Sequence, residues 1–434
     1  MIFLRIKSVV LALPLTAACI SPAAFALKAD GVVGLQMEYT DNAALTANNE
    51  INDTIATAIL SGTLVEDKGP VTGKLDASVR QLDYLDNTFG DETYLNVGAE
   101  GQWEQIRNRL VWNVENFYDQ ISQDTLAADV PSNLEDTNAF RLSATATFPV
   151  AERHTLIIVP EFSDYYYEKS NNDNQQLGLS VEWAYLLNPS VQISLIGDVA
   201  DVNHDQDLVT AGISADHERH SARLRVKATR PRTRYEATAG YTEIDRDLGP
   251  GVDGEVGSVT IEHDFTGRST LIAHASTDIS DTSNNFLSAS ANPALGSFVN
   301  VQSSSDVIKF NVMRLTYDRN GDIIKSSVKL ELSEQDYNTA PLDRKVQELS
   351  ASLSYGFTPR ITGALDAGYI ITDEEAFNTE DKEFIIGSRV NYQLDRKLST
   401  NAGLQFANKD SDAVPDRGYD EWRVFAGVAY RLGR

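Results

Sequence analysis

Apolar and polar residues alternate along this chain in segments of about ten residues, separated in turn by tight turns and long acidic connections. The last segment shows the pattern best. One of its faces carries Trp422, Val424, Ala426, Val428, Tyr430 and Leu432, and the other carries Arg423, Phe425, Gly427, Ala429 and Arg431. Because successive side chains of a β-strand point to opposite sides, this spacing predicts a strand with one apolar face. Repetition of such segments is typical of a transmembrane β-barrel.

Short connections separate every second pair of segments, and several contain turn-forming pairs such as Asn188-Pro189 and Asn320-Gly321, the latter a two-residue hairpin signal. The nine short connections are Asp67–Pro70, Glu104–Asn108, Pro149–Arg153, Leu187–Ser190, Pro231–Thr233, Thr266–Arg268, Asp318–Asp322, Thr358–Arg360 and Asp395–Lys397. Ten longer connections are rich in Asp, Asn, Ser and Thr, and the longest are Ser280–Ser305, Gln120–Thr137 and Asp201–His217.

Nine short and ten long connections make nineteen joints, which predicts twenty strands. Eighteen is the alternative, because the first two segments, near Val33–Tyr39 and Ile55–Leu64, have the weakest pattern. The predicted fold class is therefore all-β, an antiparallel up-and-down transmembrane barrel of about 18–20 strands. In such barrels the short turns face the periplasm and the long loops face outward, which places this chain in the outer membrane.

Aromatic residues cluster just before the short turns, at the ends of the apolar faces. They are Trp103, Phe148, Tyr185, Phe265, Tyr317, Phe357, Tyr392 and Tyr430. We interpret this set as a periplasmic aromatic belt, because amphipathic rings prefer the membrane–water interface. A looser outer ring would consist of Tyr39, Tyr118, Tyr241, Tyr369 and Trp422.

The inward faces are predicted to be polar. Leu349, Ala351, Leu353 and Tyr355 form one outward face and Gly363, Leu365, Ala367 and Tyr369 another, opposite Glu348, Ser350, Ser352 and Ser354 and opposite Thr362, Ala364, Asp366 and Gly368. Small polar side chains on the inside of a large barrel favour a water-filled lumen.

Cations are concentrated on one predicted inward face, which we name the basic ladder. It consists of Arg223, Arg225 and Lys227, with Arg234 on the next strand, and Lys309, Lys325 and Lys329 could extend it. One interpretation is an attractive wall for an anionic solute or an acidic polysaccharide. The other is that these cations balance lumenal carboxylates such as Glu182, Glu236 and Glu331.

The N-terminus has the pattern of a secretion signal. Arg5 and Lys7 precede an apolar stretch, and Ala24-Phe25-Ala26 predicts cleavage after Ala26, so residues 1–26 are the signal peptide and 27–434 the barrel. A lipoprotein signal at Cys19 is the alternative. Residues 27–434 contain 35 basic and 63 acidic residues, a formal charge of −28, because the signal removes two of the 37 basic residues. This acidity argues against a nucleic-acid partner.

Acids crowd the long connections, for example Asp373, Glu374, Glu375, Glu380 and Asp381 in one and Asp201, Asp205 and Asp207 in another. Solvated loop charge explains them better than a divalent cation shared with lipopolysaccharide. Asp318-Arg319-Asn320-Gly321-Asp322 resembles the start of a calcium loop but lacks the later glutamate. His217-Glu218-Arg219-His220 lacks the spacing of a zinc site, and His274 is expected to be a structural lumenal histidine. We predict no catalytic residue, no metal site and no cofactor.

The segment Gly34-Leu35-Gln36-Met37-Glu38-Tyr39-Thr40-Asp41-Asn42, followed by Leu45-Thr46 and Asn48-Asn49, resembles the type-2 β-barrel porins of Gram-negative bacteria. This group includes outer-membrane proteins linked to exopolysaccharide synthesis and to the associated protein-sorting loci. The resemblance implies an outer-membrane barrel that helps polysaccharide leave the cell. The chain departs from outer-membrane barrels at its end, because Arg434 stands where an aromatic residue is usual.

Two functions therefore compete. The first is a porin-like pore or conduit for exopolysaccharide or another solute, and the second is a non-conducting structural or adhesion barrel that acts through its acidic loops. The expected partners are outer-membrane lipid, lipopolysaccharide, the barrel-assembly machinery, and a polysaccharide or small anionic solute.

Overall fold

A computed structural model describes residues 27–205, 209–210, 213–283 and 304–433. Long strands account for most of them. They are β1 (Lys28–Thr40), β2 (Asp53–Glu66), β3 (Val71–Tyr84), β4 (Glu92–Ile106), β5 (Leu110–Ser122), β6 (Leu134–Ala151), β7 (His154–Tyr167), β8 (Asn174–Asn188), β9 (Val191–His204), β10 (Val209–Thr210), β11 (Ile213–Ser214), β12 (His217–Thr229), β13 (Thr233–Arg246), β14 (Val252–Thr266), β15 (Ser269–Asp281), β16 (Val307–Asn320), β17 (Ile324–Tyr337), β18 (Arg344–Thr358), β19 (Ile361–Glu374), β20 (Thr379–Gln393), β21 (Leu398–Ser411) and β22 (Tyr419–Arg431).

Twenty of these strands form one antiparallel sheet in which each strand pairs with its neighbours in the chain. Strands β10 and β11 form a separate small hairpin in the connection between β9 and β12. The sheet closes because β22 pairs with β1, from Val32 opposite Arg431 to Thr40 opposite Arg423. The predicted up-and-down barrel is confirmed. The count of twenty strands is correct and the alternative of eighteen is wrong, because β1 and β2 pair along their whole length.

The connections follow the predicted alternation of short and long. All nine predicted short turns join adjacent strands, and their bounds differ from the prediction by a few residues. The two-residue hairpin predicted at Asn320-Gly321 forms two residues later. Asn320 pairs with Lys325 and the Gly321 N–H donates to the Ile324 carbonyl at 2.9 Å, so Asp322 and Ile323 form the tip of the turn. Strand pairing therefore outweighed the local turn preference at this position.

The two faces of the barrel differ as the alternation predicted. Large apolar side chains are exposed on the outside of nearly every strand, including Leu35, Leu60, Leu195, Leu224, Met313, Leu349, Leu353, Leu365, Leu404 and Val424. Their chain neighbours point into the lumen and are mostly polar. Because water does not favour such an extensive apolar exterior, this surface is the one that lipid covers.

Helical structure is a minor component of the described chain, with one short 3₁₀ turn at Pro131–Asn133. No helix among the described residues is both long and apolar enough to cross a membrane. The predicted signal peptide, residues 1–26, lies outside the described residues.

Buried apolar clusters lie inside the barrel near its extracellular end. One contains Ala139, Tyr165 and Tyr167, and the other contains Ile244, Val256, Ile279 and Val307. Tyr165 and Tyr167 are the inward-pointing residues of β7, whereas the intervening Tyr166 is exposed outside. Buried aromatic residues on an inward face require that other parts of the chain cover the lumen at this level.

Candidate functional site: the barrel lumen

The basic ladder lies on the inner wall. Arg223, Arg225 and Lys227 alternate on β12 with Leu224 and Val226, which are exposed outside. Arg234 pairs with Thr229 across the β12–β13 ladder. Because directly paired residues of neighbouring strands share a face, Arg234 points into the lumen as well.

Each ladder cation contacts a carboxylate. Arg223 donates to Asp198 at 2.5 Å, Arg225 pairs with Glu182, Lys227 lies 3.2 Å from Glu236, and Arg234 pairs with Glu262 and lies 3.3 Å from Asp264. Neighbouring strands supply these acids except Glu182, which lies on β8, one strand beyond the β9 neighbour of β12, so acids and cations alternate around the wall. This is the arrangement that the charge-balancing interpretation describes for Glu182 and Glu236.

The three lysines proposed to extend the ladder behave differently. Lys329 points inward, lies 2.7 Å from Glu348 and belongs to a cluster in which Arg314 donates to Glu331 at 2.7 Å. Lys325 shares the inward face of β17. Lys309 was assigned wrongly, because it shares the face of the exposed Met313 on β16 and therefore points outward.

Two acids that the sequence placed in a solvated loop are lumenal instead. Glu374 ends β19 and Asp381 lies in β20, and both side chains are buried. Arg417, from the β21–β22 connection, lies 3.0 Å from Glu374 and 3.4 Å from Asp381, and Lys409 lies 3.0 Å from Asp381. Burial opposes the charge of Arg417, but its bonds to these carboxylates raise the pKa of the guanidinium.

The β5–β6 connection crosses the extracellular mouth. The Arg344 guanidinium on β18 donates to the Thr125 hydroxyl at 2.6 Å, and Lys409 on β21 donates to the Leu126 carbonyl at 3.4 Å. Nine strands (β7–β9 and β12–β17) separate β6 from β18 in one direction, and eight (β1–β4 and β19–β22) separate β5 from β18 in the other. The connection, which we name the crossing loop (Gln123–Asn133), therefore reaches the opposite wall.

Asn133 fixes the shape of the crossing loop. Its side chain accepts from the Asp124 backbone N–H at 3.0 Å and donates to the carbonyls of Asp124 and Ala128 at 2.8 and 3.1 Å. Asn133 is buried, so these bonds occur away from water, where backbone groups need partners most. The crossing loop is thus a folded element with its own internal support.

The β15–β16 connection also enters the mouth at both of its described ends. Ser283 bonds to the Tyr167 hydroxyl at 3.1 Å and accepts from Asn174 at 2.8 Å. At the other end, Asp306 pairs with Arg246 at 3.2 Å and accepts backbone N–H bonds from residues 339 and 340 at 2.6 and 2.9 Å. All these side chains lie against the inner wall, so the described ends of this connection narrow the lumen as well.

His274 occupies a structural position on the inner face of β15. One ring nitrogen lies 2.9 Å from the Thr260 hydroxyl and the other 3.2 Å from the Ser276 hydroxyl. Both nitrogens are therefore engaged by neutral hydroxyl groups. Within the described ranges, His, Cys, Asp and Glu form no group of three that could hold a metal ion.

The aromatic residues of the predicted belt lie on the outer surface beside the short turns. Trp103, Phe148, Phe265, Phe357, Tyr392 and Tyr430 are exposed, and Tyr185 and Tyr317 are half-buried. In the outer ring, Tyr39, Tyr241, Tyr369 and Trp422 are exposed and Tyr118 is half-buried.

Sequence reasoning missed Arg344, Arg417 and the crossing loop. One signal of a covered lumen was available. Tyr165 and Tyr167 fall on the inward parity of β7, where a water-filled lumen would not favour aromatic side chains. Two such residues at the extracellular end indicate that a loop covers them, and Ser283 of the β15–β16 connection contacts Tyr167 there. This signal does not indicate the crossing loop, Arg344 or Arg417.

Comparison with known proteins supports the fold. No protein-family model matches the sequence, and no curated protein matches it. The siderophore receptor PirA from Acinetobacter baumannii is similar in structure, with a TM-score of 0.50 and 9% identity over 93% of this chain and 80% of that chain. The outer membrane protein OpdK from Pseudomonas aeruginosa gives a TM-score of 0.38 and 10% identity over 93% of this chain and 99% of that chain.

The likeness to PirA concerns the barrel fold. Together with the even strand number, the alternating connections and the apolar exterior, this fold is that of an outer-membrane β-barrel. The chain is therefore a protein of the outer membrane.

Proposed function

We propose that the protein is a passive pore that carries hydrophilic solute across the outer membrane. The observation that carries this proposal is the polar inner wall around open space. Two cavities of about 550 and 460 Å³ lie against this wall, lined mainly by hydroxyl, amide, carboxylate and glycine groups. A closed barrel with a hydrated, charged interior is suited to conduction.

The resemblance to the type-2 porins of exopolysaccharide systems gives the finer form of this proposal, in which the solute is a polysaccharide on its way out of the cell. The extended polar wall is compatible with a polyhydroxylated chain. A deletion strain would then secrete less exopolysaccharide, and the wild-type gene would restore secretion. Normal secretion in the deletion strain would exclude polysaccharide as the solute but would not contradict the proposal of a pore.

Planar-bilayer recording of the purified, refolded protein tests the pore. We expect discrete conductance steps from the wild type. We expect larger steps after residues 125–131 of the crossing loop are replaced by a short glycine-rich turn, because this loop spans the mouth.

The second candidate is a non-conducting structural barrel, and the two inward connections favour it because they cover part of the mouth. If this candidate is correct, the wild type gives no conductance steps in the bilayer, whereas the loop-shortened variant does. A matched control shortens the exposed tip of the β1–β2 connection at Asn48–Glu50, which should leave the recordings unchanged. Silence in all three proteins would contradict the pore.

A further inference from the structure

The crossing loop divides the extracellular mouth of the barrel in two. It leaves the wall between β5 and β6 and lands on β18 and β21. On one side lie β6–β9 and β12–β18, which we name the filled half. On the other side lie β1–β5 and β19–β22, which we name the open half.

The filled half has its lumen occupied by paired side chains and by the described ends of the β15–β16 connection, residues 282–283 and 304–306. The basic ladder and the Arg314–Glu331 cluster both belong to it. Above them, Asp281 accepts from Gln176 at 3.3 Å, although β9, β12, β13 and β14 lie between their strands. Asp281 and Gln176 are both buried, so the described end of the β15–β16 connection packs tightly on this half.

The two cavities described above lie in the open half. The larger follows β1–β5, and the other lies at the periplasmic ends of β19–β22 and β1. They meet at Val32, which lines both. The smaller cavity is lined partly by neutral amides and hydroxyls, among them Gln36, Asn391, Gln393, Asn401, Thr362 and Ser399, and its lining includes one cation, Arg360.

Charge in the larger cavity has one sign. Asp30, Asp76 and Asp119 line it, and its lining contains no Lys or Arg. Arg431 pairs with Asp30 and Lys74 lies 2.5 Å from Asp76, both reaching in from the cavity's edge. Asp119 forms no salt bridge with any cation of the described chain. It accepts from its neighbour's backbone N–H at 2.8 Å and from the Asn96 amide.

We propose that solute crosses the barrel along the open half, and that the carboxylates of this path favour cations over anions. This inference rests on the proposed pore. Fixed charges in a narrow, low-dielectric channel raise the local concentration of the opposite sign. The ladder cations are not available for that purpose, because a carboxylate lies against each of them. Asp119 is the residue that sets the selectivity, because no salt bridge of the described chain neutralises it, whereas Asp76 lies 2.5 Å from Lys74 and contributes less.

Reversal potentials under a KCl gradient test the sign of this selectivity. We expect the wild type to prefer K⁺ over Cl⁻, and we expect the double variant Asp76→Asn with Asp119→Asn to lower that permeability ratio by about twofold or more. The control is Asp198→Asn with Arg223→Gln on the filled half, which removes a paired acid together with its cation and so leaves no ladder cation without its carboxylate. The control should leave the ratio within experimental error.

The outcomes separate the path from the pore. A wild type that prefers Cl⁻, or a control that changes the ratio as much as the open-half variant does, would overturn the path. Absence of conductance in the wild type and in the loop-shortened variant would overturn the pore itself, and the path with it.

Cysteine labelling tests the path without relying on charge removal. The chain has a single cysteine, Cys19, so an introduced thiol is the reactive group in the barrel. Asn96→Cys lines the larger cavity, whereas Thr238→Cys replaces a residue that bonds to Ser258 at 2.6 Å on the filled half. A cationic methanethiosulfonate should reduce conductance through Asn96→Cys and leave Thr238→Cys unchanged. The reverse pattern would contradict the path.

Discussion

At the scale of single residues, the Thr125 hydroxyl holds the crossing loop to the opposite wall. This hydroxyl accepts from Arg344, which is 5% exposed and also donates to Gln335 at 3.0 Å. Thr125→Val keeps the side-chain shape and leaves a buried charged donor without this acceptor, at a cost of about 1–3 kcal/mol. We expect protease to cleave the crossing loop of the folded barrel about tenfold faster in this variant.

The control for this measurement is Ser132→Ala in the same loop. Ser132 is exposed, and its backbone carbonyl, which the substitution retains, accepts from Gln123. Its cleavage rate should match that of the wild type. Equal rates for Thr125→Val and the wild type would mean that Arg344 does not hold the loop.

Asp173, in the β7–β8 connection, makes stability depend on pH. Its carboxylate accepts from the Tyr167 backbone N–H at 2.7 Å, but burial and the nearby Asp205 and Asp164 raise its pKa. A raised carboxyl pKa means that the ionised form destabilises the folded protein above that pKa, and that the cost disappears as the pH falls through it.

Asp173→Asn removes the charge and keeps the acceptor. We expect this variant to be more stable than the wild type at pH 7 by about 0.5 kcal/mol, a value reduced for solvent screening. At pH 3 the two proteins should unfold at the same urea concentration. Greater stability of the wild type at pH 7 would show that the carboxylate is favourable in the fold.

Individual strands owe their orientation to lipid on one face and water on the other. Leu224 is 51% exposed on the outer face of β12, between the inward-pointing Arg223 and Arg225. Leu224→Arg would place a cation in hydrocarbon at a cost of about 2–4 kcal/mol near the bilayer midplane. We expect a lower urea midpoint in lipid vesicles, whereas Thr238→Arg, on the inner face of β13, should cost much less.

The ends of strands should lie at the membrane interface if the aromatic residues form belts. Trp103 precedes a short turn and Trp422 lies near the other end of the barrel. In single-tryptophan variants, quenchers attached at the lipid headgroup should reduce their fluorescence more than quenchers at the bilayer centre. Phe117→Trp, facing the lumen, should resist both quenchers. Stronger quenching from the bilayer centre at Trp103 would contradict the periplasmic belt.

Strands were predictable because their signal is local. Alternation in the last segment fixes the face of every side chain from Trp422 to Arg431, and β22 shows the same faces in the barrel. The crossing loop had no such signal. Its contacts join residues 219 and 283 positions apart, and no periodicity connects Thr125 with Arg344 or Leu126 with Lys409. The same reasoning explains Glu374 and Asp381, whose burial depends on Arg417 from another connection.

For the molecule as a whole, closure of the sheet is what allows it to span the membrane. Pairing of β22 with β1 satisfies the backbone groups of both strands, so the sheet has no edge within the membrane. A closed barrel of this kind resists detergent at room temperature. We expect unboiled and boiled samples of the folded protein to migrate differently on a denaturing gel. Identical migration would count against a closed barrel.

The crossing loop also sets an order of events during biogenesis. Its anchor points, Arg344 and Lys409, are synthesised more than two hundred residues after Thr125, as the separations of 219 and 283 show. The loop therefore cannot form its contacts with Arg344 and Lys409 until β18 and β21 lie opposite β5 and β6. Until β22 pairs with β1, the loop of the unfinished barrel stays exposed to periplasmic proteases. The time at which Gln123–Asn133 becomes resistant to protease therefore reports when the barrel closes.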